Sequence, residues 1–151
     1  MQALKFEIIG NIQAKQSFRI GQAKTRTGKT FAVKYQPKLI LVNSKSIKLQ
    51  VISQLPKDFV PYSKEVHIER IELCFSPLKS FTKKRLKQLE IWDGEPYDYK
   101  VTKPDIDNCL KNLWDSMNGI VFVDDSLICE LKNVVKRYSV RPRIVLEITG
   151  E

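Results

Sequence analysis

Histidine is all but missing from this chain of 151 residues, with His67 the single imidazole. One histidine puts a histidine-rich metal site out of reach and makes a Ser-His-Asp triad hard to build. Cysteine is scarce as well: Cys74, Cys109 and Cys129 are odd in number and have no C-x-x-C spacing. That pattern fits reduced, buried thiols better than a disulfide framework or a zinc site. No apolar run nears the roughly 20 residues that cross a bilayer. The segment from Met1 to Gly10 carries Lys5 and Glu7 and is too short and too charged for a signal peptide. The expectation is a soluble, cytoplasmic protein with no membrane partner. Repeats and low-complexity tracts are missing too. What is present, 42% apolar residues, is enough for one domain spanning residues 1–151 to bury an ordinary core.

Acid is scarce in one part only. Residues 1–64 carry 12 Lys and Arg against 2 acidic side chains, whereas residues 65–151 carry 14 against 15. The formal charge of +9 therefore belongs to the N-terminal segment. Clustered Lys and Arg are the electrostatic footprint of a protein that neutralises phosphates and releases their counterions. A merely solvated basic surface is the plainer alternative. A membrane surface is a weaker one, since no long basic helix with a clean apolar face is apparent.

Alternation predicts a strand over Leu4–Ile9. From Ser17 to Tyr35, two alternating segments (Phe18, Ile20; Phe31, Val33, Tyr35) flank a tip containing Gly28, which reads as a hairpin. Arg19, Lys24, Arg26 and Lys29 make it a basic finger suited to a groove or a phosphate backbone, the alternative being a solvated turn. Asn43 or Ser44 could cap a helix carrying Ile47 and Val51, although Leu39–Val42 could equally be strand. Val66–Phe75 predicts a central strand whose His67, Glu69 and Glu72 face solvent or a neighbour. Phe81–Ile91 reads as a short Lys-rich helix and Trp92–Val101 as a loop.

Ala23–Thr30, A-K-T-R-T-G-K-T, satisfies a relaxed phosphate-loop pattern, and Ile120–Asp125 ends an apolar run in acid. Such a loop needs a buried strand before it, glycine-rich backbone within it and a helix N-terminus after it. Here the loop is not glycine-rich, strand-like F-A-V-K-Y follows, and a weakly alternating segment precedes. The nucleotide-hydrolase reading is set aside.

The strongest chemistry lies between Lys103 and Ser126. Asp105 and Asp107 in K-P-D-I-D-N share a face if the chain is extended, and Pro104 disfavours helix at Lys103. Leu110, Leu113, Trp114 and Met117 then mark one helix face, with Asn118-Gly119 as the stop. Asp107 falls in the first turn, and Lys111, four residues on, lies on its side and off the apolar stripe. Gly119–Val123 is expected to be a buried strand that delivers Asp124 and Asp125. Converging carboxylates without His or Cys make an oxygen-only site that suits Mg²⁺ or Mn²⁺. They repel one another unless a cation is present, and a phosphodiester is that cation's natural partner. The competing readings are helix capping for Asp105 and Asp107 and a plain turn for Asp124-Asp125-Ser126.

The run D-I-D-N, then L-K-N-L-W-D-S-M-N-G, V-F-V-D-D-S and a closing R-I-V-L-E-I, resembles the RusA family of Holliday junction resolvases. The match in order and spacing covers about the last third of the chain; residues 36–102 match only in type. The resemblance implies a single α/β (α+β) domain, a mixed sheet packed by two or three helices, acting as a homodimer. It further implies a Mg²⁺-dependent endonuclease that nicks opposed strands of a four-way DNA junction in recombination and repair. By position, the family's essential acids fall on Asp105, Asp107 and Asp125, its Asn on Asn108 and its Lys on Lys111. Pro104 departs from the pattern, since some relatives carry a further basic residue there, which leaves Lys103 as the local positive charge toward DNA. A non-catalytic basic DNA-binding protein and a flap or fork nuclease are the alternatives. The role of Asp124 is left open.

Overall fold

Val66, Ile68, Ile71, Leu73 and Phe75 are all buried along one strand, and the rest of the protein is arranged around it. The computed structural model describes residues 1–15, 19–35 and 37–151, with only the backbone of Arg19. Phe18, read above as part of the hairpin, lies outside the described residues. In chain order the elements are β1 (Gln2–Ile9), β2 (Arg19–Lys24), β3 (Thr30–Tyr35), α1 (Lys38–Gln54) and β4 (Val66–Phe75). There follow α2 (Lys83–Ile91), α3 (Ile106–Met117), a 3-10 turn at Asp125–Leu127, β5 (Ile128–Leu131), β6 (Val134–Tyr138) and β7 (Arg143–Gly150).

β4 pairs antiparallel with β7, and β7 with β1, which is the outer edge. Along its other side β4 is met in parallel by β5 and then β6, laid end to end. The break between them falls at Asn133, at φ 48°, whose side chain donates to the Glu69 carbonyl at 3.1 Å. The register of β4 against β7 shifts at the same level. This is a mixed α+β domain, as expected, with β4 central.

One core joins Leu4, Phe6 and Ile8 of β1 and Ile144, Leu146 and Ile148 of β7 to the apolar stripes of α1 and α3. Leu110, Leu113 and Met117 of α3 are buried at the spacing the sequence indicates, and Trp114 is half-buried with its ring 6.3 Å from that of Phe122. α1 begins directly after Pro37 and includes Leu39–Val42, which are therefore helical. Pro37 is the N-cap, its carbonyl accepting from the Ile40 and Leu41 N–H groups, so Asn43 and Ser44 are interior residues and do not cap. Gln50 and Gln54, one turn apart, turn their carboxamides onto β1: Gln50 meets the Ile9 N–H at 2.7 Å and its C=O at 3.0 Å. Gln54 meets those of Glu7 at 3.0 and 2.9 Å.

The other face of the sheet is polar. Glu72 is 2% exposed, so of the two expected surroundings, solvent or a neighbour, it has the neighbour. It accepts from Arg137 at 2.9 and 3.2 Å and from the Tyr97 hydroxyl at 2.9 Å, and it pairs with Arg70. Arg137 also donates to Asp93 at 2.6 Å. The second Asp93 oxygen faces the Arg143 guanidinium at 3.0 Å without hydrogen-bond alignment. The 92–97 segment thus buries charges that alternation alone would place outside. Two further expectations fail. Residues 119–123 are a turn with isolated bridges and not a strand: Gly119, at φ 74°, donates to the Phe122 carbonyl at 2.7 Å and closes the turn onto the end of α3. Cys129 is exposed, while Cys74 and Cys109 are buried as expected.

Candidate active site and nucleic-acid interface

Asp105 occupies the N-cap position of α3 with extended φ and ψ, yet its side chain makes no capping hydrogen bond. Its carboxylate meets Lys103 Nζ at 2.7 Å instead. Asp107 lies in the first turn and is exposed, and Lys111, one turn further, is exposed too. Both acids sit where the helix dipole favours negative charge. The loop ahead of them is held from β6, whose Lys136 Nζ donates to the carbonyls of Thr102 and Pro104, each at 2.7 Å.

The two aspartates after α3 are used differently. Asp124 accepts from the Ser126 N–H at 2.9 Å, and hydrogen bonding by the Ser126 side chain and then by this N–H lowers its pKa from the usual carboxylate value. It is the turn residue. Asp125 opens the 3-10 turn, half-buried, with no side-chain hydrogen bond among the described residues. Asp105, Asp107 and Asp125 are therefore the carboxylates without a capping or turn role. Among the described residues no three His, Cys, Asp or Glu side chains lie close enough together to hold a metal ion. Asp105 is neutralised by Lys103, an exposed pair of a kind worth about 0–1 kcal/mol, so little opposes its turning to a cation. The donor set, all carboxylate oxygen, fits a hard divalent ion.

The basic hairpin forms as expected. Among the described residues β2 and β3 pair only with each other, and Lys24, Arg26 and Lys29 are exposed at and beside the tip. The Gly28 N–H donates to Thr25 and the Thr25 N–H to Lys29, closing a tight turn between strands, so the phosphate-loop pattern has no helix behind it. The chain leading into the hairpin is strapped to α3. The Lys15 N–H donates to the Asn108 carbonyl at 3.0 Å, the Lys15 ammonium pairs with Asp115, and Asn112 Nδ2 donates to the Gln13 carbonyl at 2.8 Å. Asn43 accepts from the Gln13 N–H at 3.0 Å and from Asn112 at the same distance. Asn108 thus contributes its backbone here and leaves its side chain half-exposed. The helix that starts with the acids thus holds Gln13 and Lys15, ahead of the finger, on its own turns.

Sequence reasoning missed Lys136 and Asn112. Asn112 was detectable as a polar residue inside an apolar helix stripe, where burial demands hydrogen-bond partners. Lys136 left no signal, because it acts on backbone carbonyls distant in sequence.

A family model for the endodeoxyribonuclease RusA matches residues 13–149, which include the hairpin, α3 and Asp125. The domain is accordingly a DNA endonuclease of the Holliday junction resolvase class, acting on branched DNA. The chain belongs to the RusA family. It is also similar to an uncharacterized protein, YqaN, of Bacillus subtilis strain 168, at 27% identity over 162 aligned positions covering 98% of this chain and 96% of that one. No helix of the described residues is long and apolar enough to cross a membrane.

Proposed function

We propose that the protein is a Mg²⁺-dependent resolvase that cuts four-way DNA junctions by paired, symmetric nicks, acting as a homodimer. The observation that carries this reading is the N-cap aspartate of α3 that does not cap, followed one helical residue later by exposed Asp107. Asp105, Asp107 and Asp125 would hold the ion, with Mn²⁺ an acceptable substitute; when bound, it supplies Lewis-acid activation of water and of the scissile phosphate. Lys111 stands beside Asp107 to neutralise charge developing on the phosphate, and Lys103 and Asn108 lie where the DNA backbone passes the start of α3. Arg19, Lys24, Arg26 and Lys29 grip phosphates away from the cut. Two symmetric nicks call for two such sites related by a two-fold axis, which is the argument for a dimer.

The test is to incubate purified protein with labelled four-way, flap and linear duplex DNA, in Mg²⁺ or EDTA, and to map the cuts. Paired nicks confined to the junction and to Mg²⁺ are expected. Asp107→Asn should lower the cleavage rate by more than about 100-fold while leaving junction binding in place. Undiminished cleavage by that variant would remove the site assignment. Preferred cutting of flaps would move the substrate to forks, and salt-sensitive binding without nicking would favour a non-catalytic DNA-binding protein.

A further inference from the structure

The hairpin carries more than charge. Its register places Phe31 opposite Ala23, Val33 opposite Gly21 and Tyr35 opposite Arg19, so Phe31, Val33 and Tyr35 share one face with small residues across from two of them. Phe31 is 49% and Tyr35 46% exposed, and β2 and β3 form a sheet of their own. The Tyr35 ring lies against Gly21, where a Cβ would sit 3.0 Å from ring atom Cε1. A ring laid over a glycine backbone turns its other face outward. Residues 19–35 include five Lys or Arg and no acid; the register puts Lys24 and Lys34 on the opposite face, so the hairpin as a whole calls for a polyanionic partner. An acidic protein would answer the charge, but a flat aromatic surface flanked by cations matches the faces of nucleic-acid bases beside their phosphates. In branched DNA those faces are laid open where the arms part.

We propose that the Phe31, Val33 and Tyr35 face of the hairpin stacks on base faces exposed at the branch point. The hairpin would then recognise the junction by shape, in addition to gripping phosphate. This rests on the branched-DNA reading above. Gln13 and Lys15, ahead of the hairpin, are tied to the α3 that Asp105 and Asp107 begin, so stacking at the branch would bring the neighbouring phosphates toward the acids.

Binding is measured in EDTA, to prevent cutting, with a four-way junction carrying 2-aminopurine at the branch and with linear duplex of the same sequence. The double variant Phe31→Ala/Tyr35→Ala should bind the junction about tenfold more weakly and lose the emission change, with duplex affinity within about twofold of wild type. Phe31→Trp should retain both signals, which separates stacking from a collapsed hairpin. Unchanged junction affinity and emission in the double variant, with wild type preferring the junction, would overturn the stacking inference alone. Equal losses on both DNAs would do the same, as would dissociation of a wild-type dimer into monomers, which would give the face to a second copy. A wild type that binds junction and duplex alike would overturn the branched-substrate reading and this inference with it.

Discussion

Lys136 places two donors of its ammonium on the carbonyls of Thr102 and Pro104, the turn that hands Asp105 to α3. It touches no reacting group, so its effect passes through the position of Asp105. Lys136→Met keeps the apolar stem and removes the donors. The expected result is a fall in kcat of about tenfold with KM for the junction changed less than about twofold, measured by single-turnover cleavage and separate binding. An equal loss in binding would make Lys136 a DNA contact. The aspartates teach a related point. Asp105 is the N-cap of the α3 helix and Asp124 that of a 3-10 turn, yet only Asp124 uses its carboxylate on a backbone N–H. The sequence offers helix capping for Asp105 and a plain turn for Asp124. Which of them caps depends on side-chain rotamers and on Lys103, a local competition that no periodicity records.

At the level of elements, the polar face of the sheet is organised by Arg137 of β6, 2% exposed between Glu72 of β4 and Asp93 of the loop after α2. Removing one partner of a buried ion pair leaves the rest without compensation. Arg137→Met should therefore lower the unfolding free energy by about 3–5 kcal/mol, read from the midpoint of urea denaturation. A loss below about 1 kcal/mol would mean that water enters and serves the two carboxylates. Much of the fold was legible beforehand: β4 and the hairpin by alternation, α3 by its apolar stripe and glycine stop. Glu72 was not, because alternation identifies a face and not what covers it, and the cover comes from residues 92–97. The run Ile120–Val123 misled for a similar reason. Val121 and Phe122 are buried as apolar residues should be, but Gly119 turns the chain so sharply that strand pairing reduces to single bridges. The candidate site could be proposed as a set of residues, whereas the tie from Gln13 and Lys15 to α3, made by Asn112 and the Asn108 backbone, required the fold.

Across the whole molecule, the ion-pair network ties stability to pH. Burial works to raise the pKa of Asp93, but hydrogen bonds from Arg137 and Ser139 and the charges of Arg137 and Arg143 outweigh it and lower it from 3.8 to about 2. A depressed carboxylate stabilises the fold above its unfolded pKa, and that contribution is lost as pH falls from 3.8 toward about 2. The loss is on the order of 2 kcal/mol for this one group. Asp93→Asn should therefore be less stable than wild type at neutral pH and should lose less on acidification, measured by thermal unfolding across that range; parallel curves for the two proteins would refute the linkage. His67 behaves oppositely. Its hydrogen bond with Glu130 raises its pKa despite partial desolvation, so its contribution is present in mild acid and fades as pH rises through that raised value. One more property of the whole molecule follows from Gln50 and Gln54. By occupying the outward N–H and C=O groups of Glu7 and Ile9, these carboxamides act as a false neighbouring strand, so the sheet is capped where it would otherwise be open to extension. A neighbouring molecule cannot prolong the sheet at those two residues, which guards against aggregation. Any association of two copies at this stretch of β1 would therefore run through side-chain surfaces and not through a continuous sheet.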